Sequence, residues 1–349
     1  MENLPSLLYN RRQKTKAPKK RDRKGANSHM TPMEQKIYDM GILPVIKISD
    51  PATALPLAKA LCDGGLPAAE ITFRTACAAE AISAITKAYP DMLVGAGTVL
   101  TTAQVDEAVN AGAAFIVSPG FNPKVVAYCR ERGITIIPGC SSPSDIEAAI
   151  EQGLETVKFF PAEAAGGLPM LKAMSAPYGK MRFMPTGGIN PDNLLTYLKF
   201  DKIIACGGSF MVKEDLIKAG DFDAIRELTR AAVKTMLGLE FLHIGINSDN
   251  AEEAMRGAKM VQAMFGMPLS EGNKSIFAGS EFEFMKQKGP GKMGHIAIRT
   301  NFCDRAMAYF KRCGFAFDES SVTYFDNGKP KFVYFKDEIC GFAFHLIQK

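Results

Sequence analysis

The sequence predicts an α/β fold, a parallel (β/α)8 barrel followed by a smaller α+β domain, and three features predict it. Eight short β-branched or apolar runs alternate with amphipathic stretches of roughly 10 to 15 residues, the pattern of parallel strands joined by helical crossovers. The rhythm stops near Leu237, and phenylalanine becomes frequent from Phe241 onward. A repeated His-Ile-x-Ile then heads two similar segments.

The eight runs are LPVIKI (43–48), AAEITF (68–73), LVGAGTV (93–99), AAFIVSP (113–119), GITIIPG (133–139), TVKFFPA (156–162), MRFMPTGG (181–188) and KIIACGG (202–208). Helix signals lie between them. Asp50 stands before Pro51 as an N-cap would, and Gly64 and Gly65 end that helix. Pro143 and Gly153 bracket SSPSDIEAAIEQG in the same way. An open doubly wound sheet uses the same units, but no G-x-G-x-x-G opens a helix after the first run, and a count of eight favours closure.

A chain of 349 residues, 47% hydrophobic and 23% charged, is long enough for two domains and is neither fibrous nor disordered as a whole. No uncharged apolar run is long enough to span a membrane. The positive net charge of +5 belongs to the start of the chain, where residues 1–30 hold nine Lys or Arg against two acids. Residues 1–32 read as a disordered basic leader or tag, residues 33–238 as the barrel and residues 239–349 as the second domain. The basic arm could contact nucleic acid, but nothing in the body supports such a partner. Eight cysteines without a C-x-x-C pair read as reduced thiols of a cytoplasmic protein.

In a barrel of this kind the strand C-termini carry the active site. Lys158 lies among apolar residues in V-K-F-F-P, where its ammonium would have to desolvate. It could snorkel to the rim or pair with a carboxylate, or it could attack a ketone and form a Schiff base. Glu70, Thr72 and Arg74 alternate along AEITFRT and share one face. The glutamate can serve as general acid or base and the arginine can grip a carboxylate, unless the two simply pair with each other. Thr98 adds a hydroxyl at the end of the third run, or stands there simply because threonine suits a strand. Gly187 and Gly188 after the seventh, with Gly207, Gly208 and Ser209 after the eighth, stand where such barrels hold phosphate.

The stretches AEITFRT, GAGTV, SPG, VKFFPAEAAGG, PTGGI and GGSF, in this order, resemble the KDPG/KHG aldolase family over residues 35–236. These are class I enzymes acting on 2-keto-3-deoxy-6-phosphogluconate and related 4-hydroxy-2-oxo acids. The resemblance implies that Lys158 is the Schiff-base lysine, Glu70 the acid/base, and Arg74 and Thr98 the binders of the pyruvyl carboxylate. It further implies that Gly187, Gly188 and Ser209 hold phosphate, that Thr186 lines the site, and that Phe160 packs over the substrate. Lys47 falls where some members place a phosphate-binding arginine. The implied reaction is cleavage to pyruvate and glyceraldehyde 3-phosphate in the Entner–Doudoroff pathway, by a homotrimer that needs no cofactor. The galactonate epimer, unphosphorylated 4-hydroxy-2-oxoglutarate, and a non-catalytic sugar-acid sensor are the alternatives.

The second domain repeats itself. HIGINSDNAEEAM (243–255) and HIAIRTNFCDRAM (295–307) match at His-Ile-x-Ile and again at Ala-Met, and each runs through a helix to a glycine and into aromatic strands. His243 and His295 occupy one position of the two repeats, and His345 in FAFHLI matches Glu283 in FEFMK, each expected on the penultimate strand. Together they form a candidate N/O site for a divalent Zn, Fe, Mn, Ni or Co ion, or else a core whose catalytic role has lapsed. The pattern resembles the vicinal-oxygen-chelate (glyoxalase-like) superfamily, whose paired βαβββ modules share one metal and whose last ligand is usually Glu.

Overall fold

The computed structural model describes residues 30–349. Of the leader expected over residues 1–32, all but the last three positions lies outside the described residues. Thr31 already belongs to the fold. It and Glu34 form a reciprocal capping box that opens α1 (Pro32–Met40), and Gly41 in the left-handed region closes the helix. The chain divides into two compact units, one ending at Met236 and the other spanning Leu237–Lys349.

The first unit contains eight strands, β1 (Ile42–Ile46), β2 (Ala68–Thr72), β3 (Leu93–Gly97), β4 (Ile116–Val117), β5 (Ile136–Ile137), β6 (Thr156–Phe159), β7 (Arg182–Pro185) and β8 (Cys206–Gly208). Their pairings are parallel, in the orders β5-β4-β3-β2-β1-β8 and β6-β7. Single parallel bridges, Gly139 to Lys158 and Thr186 to Gly207, link the two sets on either side, giving a TIM-barrel-like fold. Every residue of β2 and β3 is buried, as the strands of a helix-covered parallel sheet must be. Gly95 makes the interior packing feasible, since a Cβ there would lie 2.2 Å from the Phe115 ring.

Helices follow the strands: α2 (Ala54–Asp63), α3 (Ala78–Ala88), α4 (Thr102–Asn110), α5 (Pro123–Glu131), α6 (Pro143–Glu151), α7 (Gly167–Ser175), α8 (Pro191–Leu198), α9 (Glu214–Ala219) and α10 (Phe222–Leu237). Ser142 and Asp145 form the capping box of α6. Asp50, expected to cap an α-helix, caps a 3-10 turn (Pro51–Thr53) that leads into α2. The strands are shorter than the apolar runs, because residues at either end of a run leave the ladder, such as 113–115 before β4, 202–205 before β8 and 118–119 after β4. No described helix is long and apolar enough to cross a membrane.

The second unit follows the order β, α, β, β, β twice. β9 (Glu240–Asn247), α11 (Ala251–Phe265), β10 (Leu269–Glu271), β11 (Ser275–Ala278) and β12 (Phe282–Met285) are followed by β13 (Gly294–Thr300), α12 (Cys303–Arg312), β14 (Thr323–Tyr324), β15 (Pro330–Tyr334) and β16 (Phe342–Gln348). The strands form one eight-stranded sheet, β10-β11-β12-β9-β13-β16-β15-β14, whose centre is the antiparallel β9–β13 pair. Ala254 and Ala258 of α11 pack on Ile276, Ala278 and Phe284, their small side chains letting the helix lie close to the sheet.

Candidate functional site

Lys158 is buried in the barrel, only 5% exposed, between the fully buried Val157 and Phe159. Its Nζ donates to Glu70 Oε1 at 3.2 Å and lies 5.3 Å from the centre of the Phe160 ring. The alternative of a rim lysine snorkelling to water is thereby excluded, while that of a lysine paired with a carboxylate is met by Glu70. Glu70 is 1% exposed, and its other oxygen, Oε2, is buried without a hydrogen-bond partner. A carboxylate oxygen desolvated in this way is costly for the fold and is available to a substrate hydroxyl or a water.

Two features hold Glu70 in place. β2 pairs with β3 so that Glu70 lies beside Gly95 and its carboxylate lies against Gly97, where a Cβ would come within 2.3 Å of Glu70 Oε1. Gly97 was not singled out from sequence, although the small residues of GAGT are its signal. Thr72, two residues along the same face, donates its hydroxyl to Ile46 O at 2.9 Å and tethers β2 to β1.

Arg74 lies just beyond β2, exposed, with its Nε donating to Thr72 Oγ1 at 3.1 Å. The residue that Glu70 pairs with is Lys158, not Arg74. Thr98 lies past the end of β3 with φ 58°, and only one other described non-glycine residue, Cys340, has a positive φ. Strand propensity therefore does not account for Thr98. A β-branched residue in the left-handed region is strained by roughly 1–3 kcal/mol, and such strain clusters at functional sites.

At the far side of the mouth, Gly187 and Gly188 have φ 98° and 82°, which no other residue adopts without strain. Gly188 also packs against Glu163, where a Cβ would be 2.5 Å from Glu163 Cβ. The brace is extensive. Glu163 N donates to Gly187 O, Tyr197 Oη of α8 donates to Glu163 Oε1, and the side-chain amides of Asn190 and Asn193 donate to Gly188 O. Glu163 lies in the stretch VKFFPAEAAGG but was not singled out from sequence, and Tyr197 had no sequence signal.

Thr186 is buried beside Gly207, where a Cβ would lie 2.3 Å from Thr186 Oγ1. Gly208 ends β8 and Ser209 follows it, exposed. Phe160 is half-buried and joined to Pro161 by a cis peptide. Lys47 is engaged with Glu214 at 3.1 Å, a carboxylate that also accepts from Lys218 and is held down to about 2 by these two ammonium groups. The phosphate-binding role expected for Lys47 therefore competes with an ion pair in place. A cleft of about 280 Å³ opens at the N-terminal ends of β5, β6 and β7, lined by Glu34, Arg130, Glu155 and Arg182, and Lys158 is not among its lining residues.

On the second unit's sheet, His243 and His295 face each other with their Nε2 atoms 3.1 Å apart, and Glu283 Oε2 lies 3.2 Å and 3.0 Å from them. Nitrogen atoms of His243, His295 and His345 all lie within 4.8 Å of one another. The register explains the convergence. Gly245 sits between Glu283 and His295, and Ala297 sits between His243 and His345, so each large side chain has a small lateral neighbour. A Cβ on Gly245 would lie 2.0 Å from His295 Cε1. Glu283 and His345 lie on the last strands of their repeats, β12 and β16, not on the penultimate ones.

The electrostatics fit a cation. Burial pushes the Glu283 carboxyl up, but hydrogen bonds from His243, His295 and Ser275 outweigh it and leave the group well below the usual carboxylate range. Burial, and the neighbouring His295 and His243, push the His345 imidazole down to about 3. The Nδ1 atoms of His295 and His345 are buried without partners. Donor separations of 3.0–3.2 Å match adjacent ligands about an ion at bond lengths of about 2.1 Å, which are about 3.0 Å apart in six-coordination.

A parallel barrel with a lysine–carboxylate pair buried inside it, on β2 and β6, has the groups that a Schiff-base lyase of the aldolase class needs. Residues 33–228 match the family model "KDPG and KHG aldolase", and the chain belongs to that family. The 2-dehydro-3-deoxy-phosphogluconate aldolase of Treponema pallidum is 49% identical over 193 residues, which is 55% of this chain and 92% of that one. Among solved structures, KDPG aldolase of Legionella pneumophila, with pyruvate captured as a covalent carbinolamine, superposes with a TM-score of 0.56 at 40% identity over 57% of this chain and 97% of that one. The 2-keto-3-deoxy-6-phosphogluconate aldolase of Zymomonas mobilis with 3-phosphoglycerate gives 0.54 at 40% identity, covering 57% and 94%. The second unit lies outside the residues matched to the family.

Proposed function

We propose that the barrel cleaves 2-keto-3-deoxy-6-phosphogluconate to pyruvate and glyceraldehyde 3-phosphate, and that it also accepts 4-hydroxy-2-oxoglutarate, giving pyruvate and glyoxylate. The observation that carries this reading is the buried contact of Lys158 Nζ with Glu70 Oε1 at 3.2 Å. Lys158 adds to the C2 carbonyl, and loss of water from the carbinolamine gives an iminium. Glu70, with a free oxygen, takes the C4 hydroxyl proton directly or through water. The C3–C4 bond then breaks, and its electron pair passes into the iminium to give an enamine and the aldehyde. Return of a proton to C3 and hydrolysis release pyruvate and regenerate the amine.

Arg74 and Thr98 bind the carboxylate, Phe160 and Thr186 enclose the substrate, and the backbone of Gly187, Gly188, Gly207 and Gly208 with the Ser209 hydroxyl holds the phosphate. The Legionella carbinolamine and the Zymomonas complex with a phosphorylated three-carbon acid support the two ends of this assignment by analogy. A cytoplasmic homotrimer is part of the same reading. The test is borohydride reduction in the presence of pyruvate, with the adduct mapped by mass spectrometry. A reduced adduct on Lys158 is expected; its absence leaves a sugar-acid sensor. Turnover of the gluconate and galactonate epimers fixes the substrate.

For the second unit, we infer a divalent-metal module of glyoxalase-like topology, supported by the convergence of His243, Glu283, His295 and His345. When bound, the metal would supply Lewis-acid chemistry; the protein's part is to present three imidazoles and one carboxylate from four adjacent strands. Metal analysis of protein purified without chelator should find one equivalent per chain. A His243→Ala/His295→Ala variant should find none, and full retention by that variant overturns the assignment.

A further inference from the structure

The two halves of the second unit are related by a pseudo-twofold, and its register pairs residues beyond the donors. Glu283 lies opposite Phe277 as His345 lies opposite Tyr334, so two residues back along β11 and β15 Ser275 corresponds to Phe332. These counterparts treat their donors differently. The buried Ser275 hydroxyl donates to Glu283 Oε1 at 2.6 Å, leaving Oε2 alone to face His243 and His295. The Phe332 ring instead lies over the His345 imidazole, with centroids 4.5 Å apart and planes at 40°.

Each support suits its own donor. A phenylalanine at 275 would leave Glu283 Oε1 desolvated without a donor, and a serine at 332 would remove the nearest apolar ring from His345, leaving Tyr334 at 5.1 Å. The exchange of carboxylate for imidazole in the second half is therefore matched by an exchange of its support, which a lapsed site would have no reason to keep.

We propose that Ser275 and Phe332 are the specificity-determining residues of this site: by matching one carboxylate and one imidazole they fix a nitrogen-rich donor set that selects Zn, Co, Ni or Fe over Mn and Mg. This rests on the metal reading given above. Imidazole favours the former ions, whereas carboxylates favour the latter. Groups that orient a ligand commonly change metal affinity by about 10- to 100-fold.

The test is metal affinity of the full chain by chelator competition with Zn²⁺, Co²⁺ and Mn²⁺, for wild type, Ser275→Ala, Phe332→Ser, His345→Glu and the His345→Glu/Phe332→Ser double variant. Ser275→Ala and Phe332→Ser should each weaken Zn²⁺ and Co²⁺ binding about tenfold. In the His345→Glu background the same Phe332→Ser change should strengthen Mn²⁺ binding. Equal effects of Phe332→Ser in both backgrounds, or unchanged affinity in Ser275→Ala, overturn the inference while the metal site stands. Should the double variant not fold, Ser275→Ala and Phe332→Ser still decide. Failure of wild type to bind any of the three ions removes the metal reading itself.

Discussion

Lys158 and Glu70, 88 positions apart in sequence, meet at 3.2 Å inside the barrel, each almost wholly removed from water. Neither would be tolerated there alone. Taking one charge of a buried pair away leaves the other uncompensated, typically at a cost of about 3–5 kcal/mol.

Lys158→Met should therefore abolish both turnover and the borohydride adduct and also lower the thermal midpoint. Adding Glu70→Gln should recover part of the lost stability without any activity. Calorimetry of the single and double variants checks this, and additive losses would mean that the two groups are not coupled.

Gly97→Ala places a methyl carbon 2.3 Å from Glu70 Oε1, too close for both to stay. The carboxylate has to move, and a displacement of about 1 Å in a catalytic group can cost about a hundredfold in rate. We expect kcat to fall by roughly that factor with a smaller change in stability, read by steady-state kinetics alongside a melting curve.

Thr98→Gly should separate stability from function. Glycine relieves the strain at φ 58°, so the fold should gain about 1 kcal/mol. The lost hydroxyl should weaken pyruvate binding. Pyruvate inhibition measured beside thermal unfolding shows whether the two move in opposite directions.

Tyr197→Phe removes one hydroxyl, the donor to Glu163 above the Gly187–Gly188 loop. KM for the phosphorylated substrate should rise several-fold with kcat little changed, while 4-hydroxy-2-oxoglutarate turnover stays as it was. Glu163→Gln keeps an acceptor for the phenol and should behave more like wild type. Equal losses on both substrates would assign the pair to general folding.

Burial pushes the thiols of Cys62, Cys140 and Cys303 up to about 12. Below their pKa these groups stay protonated and poorly nucleophilic. Iodoacetamide at pH 8 should label the exposed Cys340 and spare these three, with aldolase activity retained although Cys140 N–H bonds to Lys158 O.

The chemistry of the barrel was legible in the sequence because each informative residue breaks a local rule. A lysine between apolar neighbours is unexpected unless something needs it, and glycine pairs after two successive runs stand out only together, since tight turns need glycine anyway. Thr98 looked ordinary by the same criterion, since threonine suits strands, and only its backbone angle sets it apart. Gly97, Glu163 and Tyr197 were missed because their roles exist only as contacts with Glu70 and Gly188. Lys47 was placed at the right strand end, but Glu214, 167 positions later, already engages it.

Periodicity and the repeat set the parallel strands with their helices, a change of character near Leu237 and a histidine doubled between two segments, all of them short-range patterns. Register was left to the folded chain. Which oxygen of Glu70 is free, that Gly245 and Ala297 lie between the donors, and that Ser275 and Phe332 correspond, depend on how strands distant in sequence align. A shift of one residue would turn every one of those side chains to the other face, and only packing of the whole sheet excludes that shift.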